Sequence, residues 1–473
     1  MPKIPPLTSA LKWAQHIFGH AKLGDPRRTK RLITVAADLA KTPGVSLVQA
    51  SGKSEAAVEG AYRFVRNPQV QADAIGRAGF EATAAVAKQH ATLVEIQDTT
   101  TLSYAHQGAL EMGDLGGKQD SDRRGALVHS SLLVDGDSGD VVGLLDMETW
   151  MRPAQQRGTR HQRKQRAYPD KESFKWERTA QRVRERLGPE AMATVVSVSD
   201  RESDIYQYLA DKLRHKERFV VRASWNRTVQ WEEQSEWTPL WEALGDAPPV
   251  GRMVMEIPQR GGRQARQADM EVRALRSKLR RPQRVAGSYP AHLEVNVVRV
   301  REEEPRLSEP EPLEWVLLTW EPIQTPQQVL DIVGWYRMRW KIEEFHKVWK
   351  TGVGVERLRL QTAQNLLRMA IILAFVAIRL GQMRDLLARD PEGSCEQVLK
   401  PLEWKVLWAV VENKALPQEV PSLRWAYYAV ARLAGWIDTK GTGRVGWATI
   451  WRGWFKLQER MEGFHAASIV GGG

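Results

Sequence analysis

The sequence predicts a mixed α/β protein: an α/β core holding an antiparallel β insertion, with helical segments before and after it. Three observations carry this. From about residue 90 to 225, short runs rich in Val, Leu and Ile alternate with helical patterns, and two of them end in an acid. From about 225 to 312 the helical pattern stops, and strand-like runs flank an arginine-rich tract. Near both ends the apolar residues instead recur at three- and four-residue spacings, as in amphipathic helices.

At 473 residues the chain is long enough for two or three domains with sizeable cores. Its formal charge of +12 and pI near 9.7 suggest an anionic partner. The single cysteine, Cys395, excludes an intramolecular disulfide framework and a Cys-cluster zinc site, and fits a reducing compartment. No secretory signal is read at the amino end. The most apolar run, Met369 to Ile378, is too short to cross a bilayer and reads as a buried helix.

Residues 1–70 read as helical and basic, with eleven Lys or Arg against four Asp or Glu. Asp25 and Pro26 form an N-cap and a first-turn proline. Leu32, Val35, Ala36 and Leu39 then make an apolar stripe, while Arg27, Arg28, Lys30 and Arg31 crowd the first turns. A second helix from Ser54 turns Val58, Ala61, Tyr62 and Val65 inward. This charge concentration favours a DNA-binding head over a merely solubilising surface.

Strands follow at Leu93–Asp98, Val128–Val134 and Val141–Met147, the last two joined like a hairpin through Asp135-Gly-Asp-Ser-Gly139. Gln155 to Lys175 reads as a polar loop and Trp176 to Leu187 as a helix. Thr194 to Asp200 is a second buried strand ending in an acid, and Arg218–Arg222 a further strand. Met253–Ile257 and Leu293–Val300 are strands of the insertion. Between them Arg260, Arg263, Arg266, Arg273, Arg276, Lys278, Arg280, Arg281 and Arg284 suggest a phosphate-gripping ribbon. Trp315–Thr319 returns to the main sheet. After Leu380 the chain is mainly helical; Trp425, Tyr428, Ala429, Arg432 and Leu433 fit one helix, and Trp447, Trp451, Trp454 and Leu457 another. The tail after Phe464 reads as disordered.

The stretch from Tyr336 to Lys350 carries the chemistry. On a helix, Trp335, Met338, Ile342, Phe345 and Trp349 share an apolar face. Tyr336, Arg339, Glu343, His346, Lys347 and Lys350 form a second stripe: one carboxylate among cations. The alternative is a solvated charged face. Asp98 and Asp200 each follow an apolar strand, at the edge where open α/β sheets build their sites. Either alone reads more readily as a turn former. Three carboxylates in one place repel one another unless divalent cations relieve them, and hard oxygen ligands select Mg2+ or Mn2+.

Tyr336-x2-Arg339-x3-Glu343-x6-Lys350 is the YREK signature, and the chain closely resembles the transposon-five-like group of DDE transposases. Leu23-Gly-Asp-Pro-Arg-Arg-Thr, Gly60-Ala-Tyr-Arg-Phe, Asp98-Thr-Thr, Asp200-Arg-Glu, Glu217-Arg-Phe-Val-Val-Arg222 and Trp425-Ala-Tyr extend the likeness over nearly the whole chain. The resemblance implies an RNase H-like catalytic core. It also implies a metal-binding triad of Asp98, Asp200 and Glu343 holding two Mg2+ ions, for which Mn2+ would substitute. Tyr336, Arg339, Lys347, Lys350 and Arg222 would grip DNA phosphates, and Trp315 would receive a flipped base. Arg27, Arg28, Lys30 and Arg31 would contact the transposon ends, and the C-terminal helices would dimerise the protein. The expected partners are double-stranded DNA, as element ends and target, and a second copy of the chain in the paired-end complex; no membrane is expected. The implied activity is cut-and-paste transposition of a bacterial insertion sequence through a hairpin intermediate, in a nucleoid-associated cytoplasmic protein. The domains read as 1–70, a DNA-binding head; 71–385, the catalytic domain with its insertion at about 225–312; and 386–473, the dimerisation domain. Two alternatives remain: another RNase H-like nuclease or resolvase, and a catalytically silent, transposase-derived DNA-binding inhibitor.

Overall fold

The computed structural model describes residues 7, 9–52, 54–106, 111–115, 124–152, 166–232, 234, 236–257, 266–303, 312–439 and 445–471. The chain opens with helices α1 (Ala10–Phe18), α2 (Pro26–Lys41), α3 (Leu47–Ala50), α4 (Glu55–Arg66) and α5 (Ala72–Ala87). Strands β1 (Leu93–Tyr104), β2 (Gly113–Asp114), β3 (Arg124–Asp135) and β4 (Val141–Trp150) follow. Then come α6 (Lys175–Met192), β5 (Val195–Ser199), α7 (Tyr206–Arg214) and β6 (Arg218–Arg222). The inserted region contains β7 (Thr228–Trp231), β8 (Thr238–Pro239), α8 (Leu240–Asp246), β9 (Pro249–Ile257), β10 (Arg266–Arg280) and β11 (His292–Glu302). The chain continues through β12 (Glu314–Thr319), α9 (Pro326–Met338), α10 (Trp340–Lys347), α11 (Ala363–Arg389), α12 (Pro401–Glu412), α13 (Leu423–Leu433) and α14 (Trp447–Gly471). The predicted mixed α/β class, β insertion and helical ends are all present.

The chain forms two compact units, one of Ala91–Asp98 and Gly158–Trp340, the other of Met1–His90, Thr99–Arg157 and Lys341–Gly473. In the first, the sheet runs β1-β5-β6-β12-β11-β10-β7-β8, with β9 also on β10. β1, β5 and β6 are parallel, and the rest pair antiparallel. All five residues of β5 are buried, its two serines included, as expected of a parallel strand covered on both faces. β10 instead alternates, turning Leu275 and Leu279 inward and Arg276, Lys278 and Arg280 outward. The arginine tract is therefore a central strand as much as a ribbon. Arg266 is buried against Glu302, its Nη2 3.0 Å from Oε2, and Arg273 grips Glu271 at 2.7 Å. Arg260 and Arg263 lie outside the described residues, as does residue range 155–165 of the predicted polar loop. Trp176, Tyr208, Phe219, Trp231 and Leu244 belong to the apolar core of this unit.

A buried polar chain crosses the parallel strands. Ser197 on β5 donates to Glu95 on β1 at 2.6 Å, and Lys212 on α7 donates to Ser197 at 2.9 Å and to Glu217 at 2.8 Å. Arg184 on α6 also bonds Glu217, and reaches Asp211 at 3.0 Å. Burial alone would push the Glu217 carboxyl up, but Lys212 and Arg184 hold it below the usual range.

In the second unit, α11 is the frame. The ten-residue apolar run is only its middle. The helix is long and apolar enough to cross a bilayer, yet 94% of its most apolar window is buried, against α2, α5, β4 and α13 among others. Its buried arginines satisfy carbonyls left open at other helix ends. Arg368 donates to Val65 at 2.9 Å and to Val70, after α4, while Arg379 donates to Ala40 at 3.1 Å, in α2, and to Leu7. Asp25 caps α2 through the Arg27 amide at 2.8 Å, and Leu32, Val35, Ala36 and Leu39 are buried as predicted. The β3–β4 hairpin turns through Gly139 at φ 73°, where a side chain would be strained.

One C-terminal expectation is corrected. The tail after Phe464 is helical, because α14 runs to Gly471, although its side chains there are exposed. The buried face of α13 is Leu423, Ala426, Ala429 and Val430, leaving Tyr428 40% exposed. Trp454 and Leu457 are buried within the unit, so this part of the aromatic stripe is core rather than a free surface.

Lys212→Met should leave the buried Glu217 with Arg184 as its one remaining cation and take away the Lys212 bond to Ser197. Removing one partner of a buried ion pair costs about 3–5 kcal/mol, so the thermal midpoint should fall by roughly 10 °C in a unit of this size. An unchanged midpoint in calorimetry would show that the network contributes nothing to stability.

Candidate active site

The last pair of the β1–β5 ladder is Gln97 with Ser199. The next residues, Asp98 and Asp200, therefore stand side by side across adjacent parallel strands. By strand alternation they share the face of Ile96 and Val198, opposite the Glu95–Ser197 bond. β1 does not end at Asp98 but continues to Tyr104; the acid marks where parallel pairing stops, not where the strand stops. Asp200 does end its strand, and its Oδ1 accepts the Arg201 amide at 2.7 Å, capping a 3-10 turn. Its side chain is 35% exposed.

Cations and aromatics gather beside Asp200 in the same unit. Arg339 Nη1 lies 4.0 Å from Asp200 Oδ2. Tyr336 is buried, and among the described residues its hydroxyl has no hydrogen-bond partner; it sits close to the Arg222 guanidinium without meeting bonding geometry. Burial first, then the Asp200 charge, pushes the Tyr336 phenol above its ordinary pKa. Trp315 meets the Tyr336 ring edge-on at 5.1 Å. Arg222 Nη2 donates to the Glu314 carbonyl at 3.1 Å. The structure thus collects Asp98, Asp200, Arg222, Trp315, Tyr336 and Arg339 in one unit.

Glu343, Lys347 and Lys350 belong to the other unit. The expected single helix over 336–350 is interrupted: α9 ends at Met338, α10 begins at Trp340, and Val348–Gly352 widens into a π-helical turn. Glu343 is half-buried in the first turn of α10, Lys347 is exposed, and Lys350 lies in the π turn. Ile342, Phe345 and Trp349 form the predicted apolar face; Phe345 and Trp349 stack at 5.9 Å, and Trp349 donates to Ala370 at 3.0 Å. The second stripe is not wholly solvated. His346 is buried 3.2 Å from Ser130 Oγ, and burial, then the Lys350 charge, pushes its pKa down to about 3. The neighbouring acid, Glu344, pairs with Arg384 of α11 at 2.9 Å.

Among the described residues no three carboxylate, imidazole or thiol groups are gathered closely enough to enclose a metal ion. The Asp98–Asp200 pair still suits one, because Mg2+ takes one or two carboxylates and fills its octahedron with water and substrate phosphate. On α2, Arg27 and Lys30 are exposed, whereas Arg28 bonds Leu23 and Gln69, and the Arg31 guanidinium covers Gly60. Sequence reasoning gave Asp204 no role. It is buried, and accepts from Arg227 at 3.0 Å and from the Ser224 amide at 2.7 Å, pinning the loop after β6. It also missed Arg299 and Arg301, whose two-residue spacing on β11 signals one shared face.

Comparison with known proteins gives three family matches along the chain. Residues 10–70 match the transposase DNA-binding family, residues 91–379 the transposase DDE domain, and residues 375–470 the transposase Tn5 dimerisation domain. A chain of the cryo-EM piggyBac transposase synaptic complex with hairpin DNA covers 98% of this chain and 83% of its own, at 10% identity and a TM-score of 0.39, too weak a likeness to bear on function. The mixed sheet between helical segments is the RNase H-like architecture that the DDE match implies. With that match spanning more than half its length, bounded by a DNA-binding segment and a dimerisation segment, the chain belongs to the Tn5-like DDE transposases.

Proposed function

We propose that the protein is a cut-and-paste transposase of a bacterial insertion sequence, acting in the cytoplasm on the ends of its own element. The observation that carries this is the Asp98–Asp200 pair at the end of a parallel ladder, beside Arg339 and the unpartnered Tyr336 hydroxyl. Glu343 joins them as third carboxylate on the strength of the YREK signature. These side chains would hold two Mg2+ ions, and Mn2+ would serve in their place. Bound there, divalent cations would activate a water and neutralise charge on the scissile phosphodiester.

The residues of the chain do the positioning. Tyr336 would donate its free hydroxyl to a phosphate oxygen, while Arg339, Arg222, Lys347 and Lys350 hold the backbone on either side. Water attacks phosphorus and the P–O3′ bond breaks, leaving a 3′-OH and a 5′-phosphate. That 3′-OH then attacks the opposite strand, closing a hairpin; water reopens it; and the freed 3′-OH attacks target DNA. Each step exchanges one phosphodiester bond for another, or for water, and none needs a covalent enzyme intermediate. Arg27 and Lys30 would contact the element's ends from the head, helped by Arg28 and Arg31. Pairing of two ends would come from the C-terminal segment. A resolvase would need neither the signature nor the head, and a silent inhibitor would need no intact carboxylates.

Asp98→Asn, Asp200→Asn and Glu343→Gln should each abolish cleavage of an end duplex in Mg2+, while gel-shift affinity stays within about two-fold. Chelation by EDTA should do the same to the parent. Near-normal cutting by any one variant would remove that residue from the triad. Trp315→Ala should leave first-strand nicking intact but slow hairpin closure about ten-fold or more, because a base extruded at the bend loses a stacking partner worth ~1–3 kcal/mol. Equal loss of both steps, with a lower melting temperature, would make Trp315 a core residue only.

A further inference from the structure

β12 has a second functional face. Its side chains alternate, so Trp315 meets Tyr336 while Glu314 and Val316 point the other way. There they line a cavity of about 420 Å3 together with Arg201, Arg222, Arg299, Arg301 and Trp241. Four arginines line a space with one carboxylate, and that carboxylate is already engaged: Arg299 Nε donates to Glu314 at 2.7 Å. Among the described residues Arg201 and Arg301 pair with no acid. Uncompensated like charges at close range are unfavourable, and an anion in their midst relieves them.

The aromatic wall is held open beside them. Trp241 is 40% exposed, and its amide is fixed to Asn226 Oδ1 at 2.9 Å. The preceding loop is anchored by buried Asp204 through the Ser224 amide and Arg227. An exposed indole next to guanidiniums without an acid partner can take a base and its phosphate together. The volume lies in the range of small-ligand pockets, and fits one nucleotide. Two tryptophan–arginine pairs lie in the inserted region: Arg284 over Trp225 at 5.3 Å, a residue 51% exposed, and Arg280 over Trp237 at 5.5 Å.

The geometry points to a pocket for one unpaired deoxynucleotide of the DNA substrate, with its base on Trp241 and its phosphate on Arg201 and Arg301. It lies on the opposite face of β12 from Trp315 and begins at Arg201, the residue after Asp200. A strand leaving the reacting phosphate on this side would enter it. The assignment rests on reading Asp200 as part of a DNA-cutting site.

The test uses the full chain without divalent metal and a five-nucleotide single strand, dT2-(2-aminopurine)-dT2, whose fluorescence falls when the modified base stacks. The parent should quench it on binding. Trp241→Ala should lose most of the quench and bind about 5- to 150-fold more weakly, the range expected for one lost base stack, whereas Trp241→Phe should stay within about five-fold. Arg301→Ala should lower the slope of log K against log salt by about 0.7, and Arg301→Lys should restore it. Melting temperatures near the parent's establish that each variant is folded. Parental quenching by Trp241→Ala, or parental affinity and slope in Arg301→Ala, overturns the pocket. Displacement of the strand by equimolar free dAMP would overturn its assignment to substrate DNA, and failure of dAMP to compete supports it. Because this binding needs neither metal nor cutting, a negative result leaves Asp98 and Asp200 to be judged by cleavage alone.

Discussion

Two carboxylates on neighbouring strands repel, and a protein that needs them side by side must hold the strands in register against that repulsion. Here the hold lies one step behind the acids. Glu95, three residues before Asp98, is bonded to Ser197, three residues before Asp200, and Lys212 ties Ser197 onward to Glu217 at the start of β6. A slip of one residue between β1 and β5 would break this chain and put the two aspartates on opposite faces of the sheet. The apolar strands supply burial, but the polar bonds select a single register.

The same unit separates its chemistry by face. The Asp98 and Asp200 side carries the unpartnered Tyr336 hydroxyl and Arg339, groups suited to a phosphate. The other side carries the buried ionic chain and, further along the sheet, the arginine-lined pocket with Trp241. Alternation along a strand is what allows this: adjacent residues such as Trp315 and Val316 serve opposite surfaces.

Much of this was legible in the sequence, for identifiable reasons. Strand and helix positions followed from periodicity, and β6 was placed to the residue. The four-residue signature picks Glu343 over Glu344 by spacing alone, a choice that stays a proposal; in the structure Glu344 pairs with Arg384. What stayed hidden depends on contacts distant along the chain. Nothing local distinguishes Arg266, sealed against Glu302, from Arg276 on the exposed face. Nor does spacing show that a helix will be covered on more than one side, which is why His346 read as a surface residue and is buried. The tail after Phe464 misled for a different reason: its composition is that of a free end, yet it extends a helix already anchored by Trp454 and Leu457.

The arginines of α11 bear on the order in which the molecule assembles. Arg368 and Arg379 close carbonyls at Val65, Val70 and Ala40, some three hundred residues earlier in the chain. Closing a loop of that length costs about 5 kcal/mol in chain entropy, and contacts so far apart in sequence slow folding. On the ribosome, the amino-terminal helices emerge first but cannot finish their ends until residue 379 has been synthesised. The segment made earliest is therefore completed among the last, and a chain truncated before α11 would carry a head whose helices end in unsatisfied carbonyls.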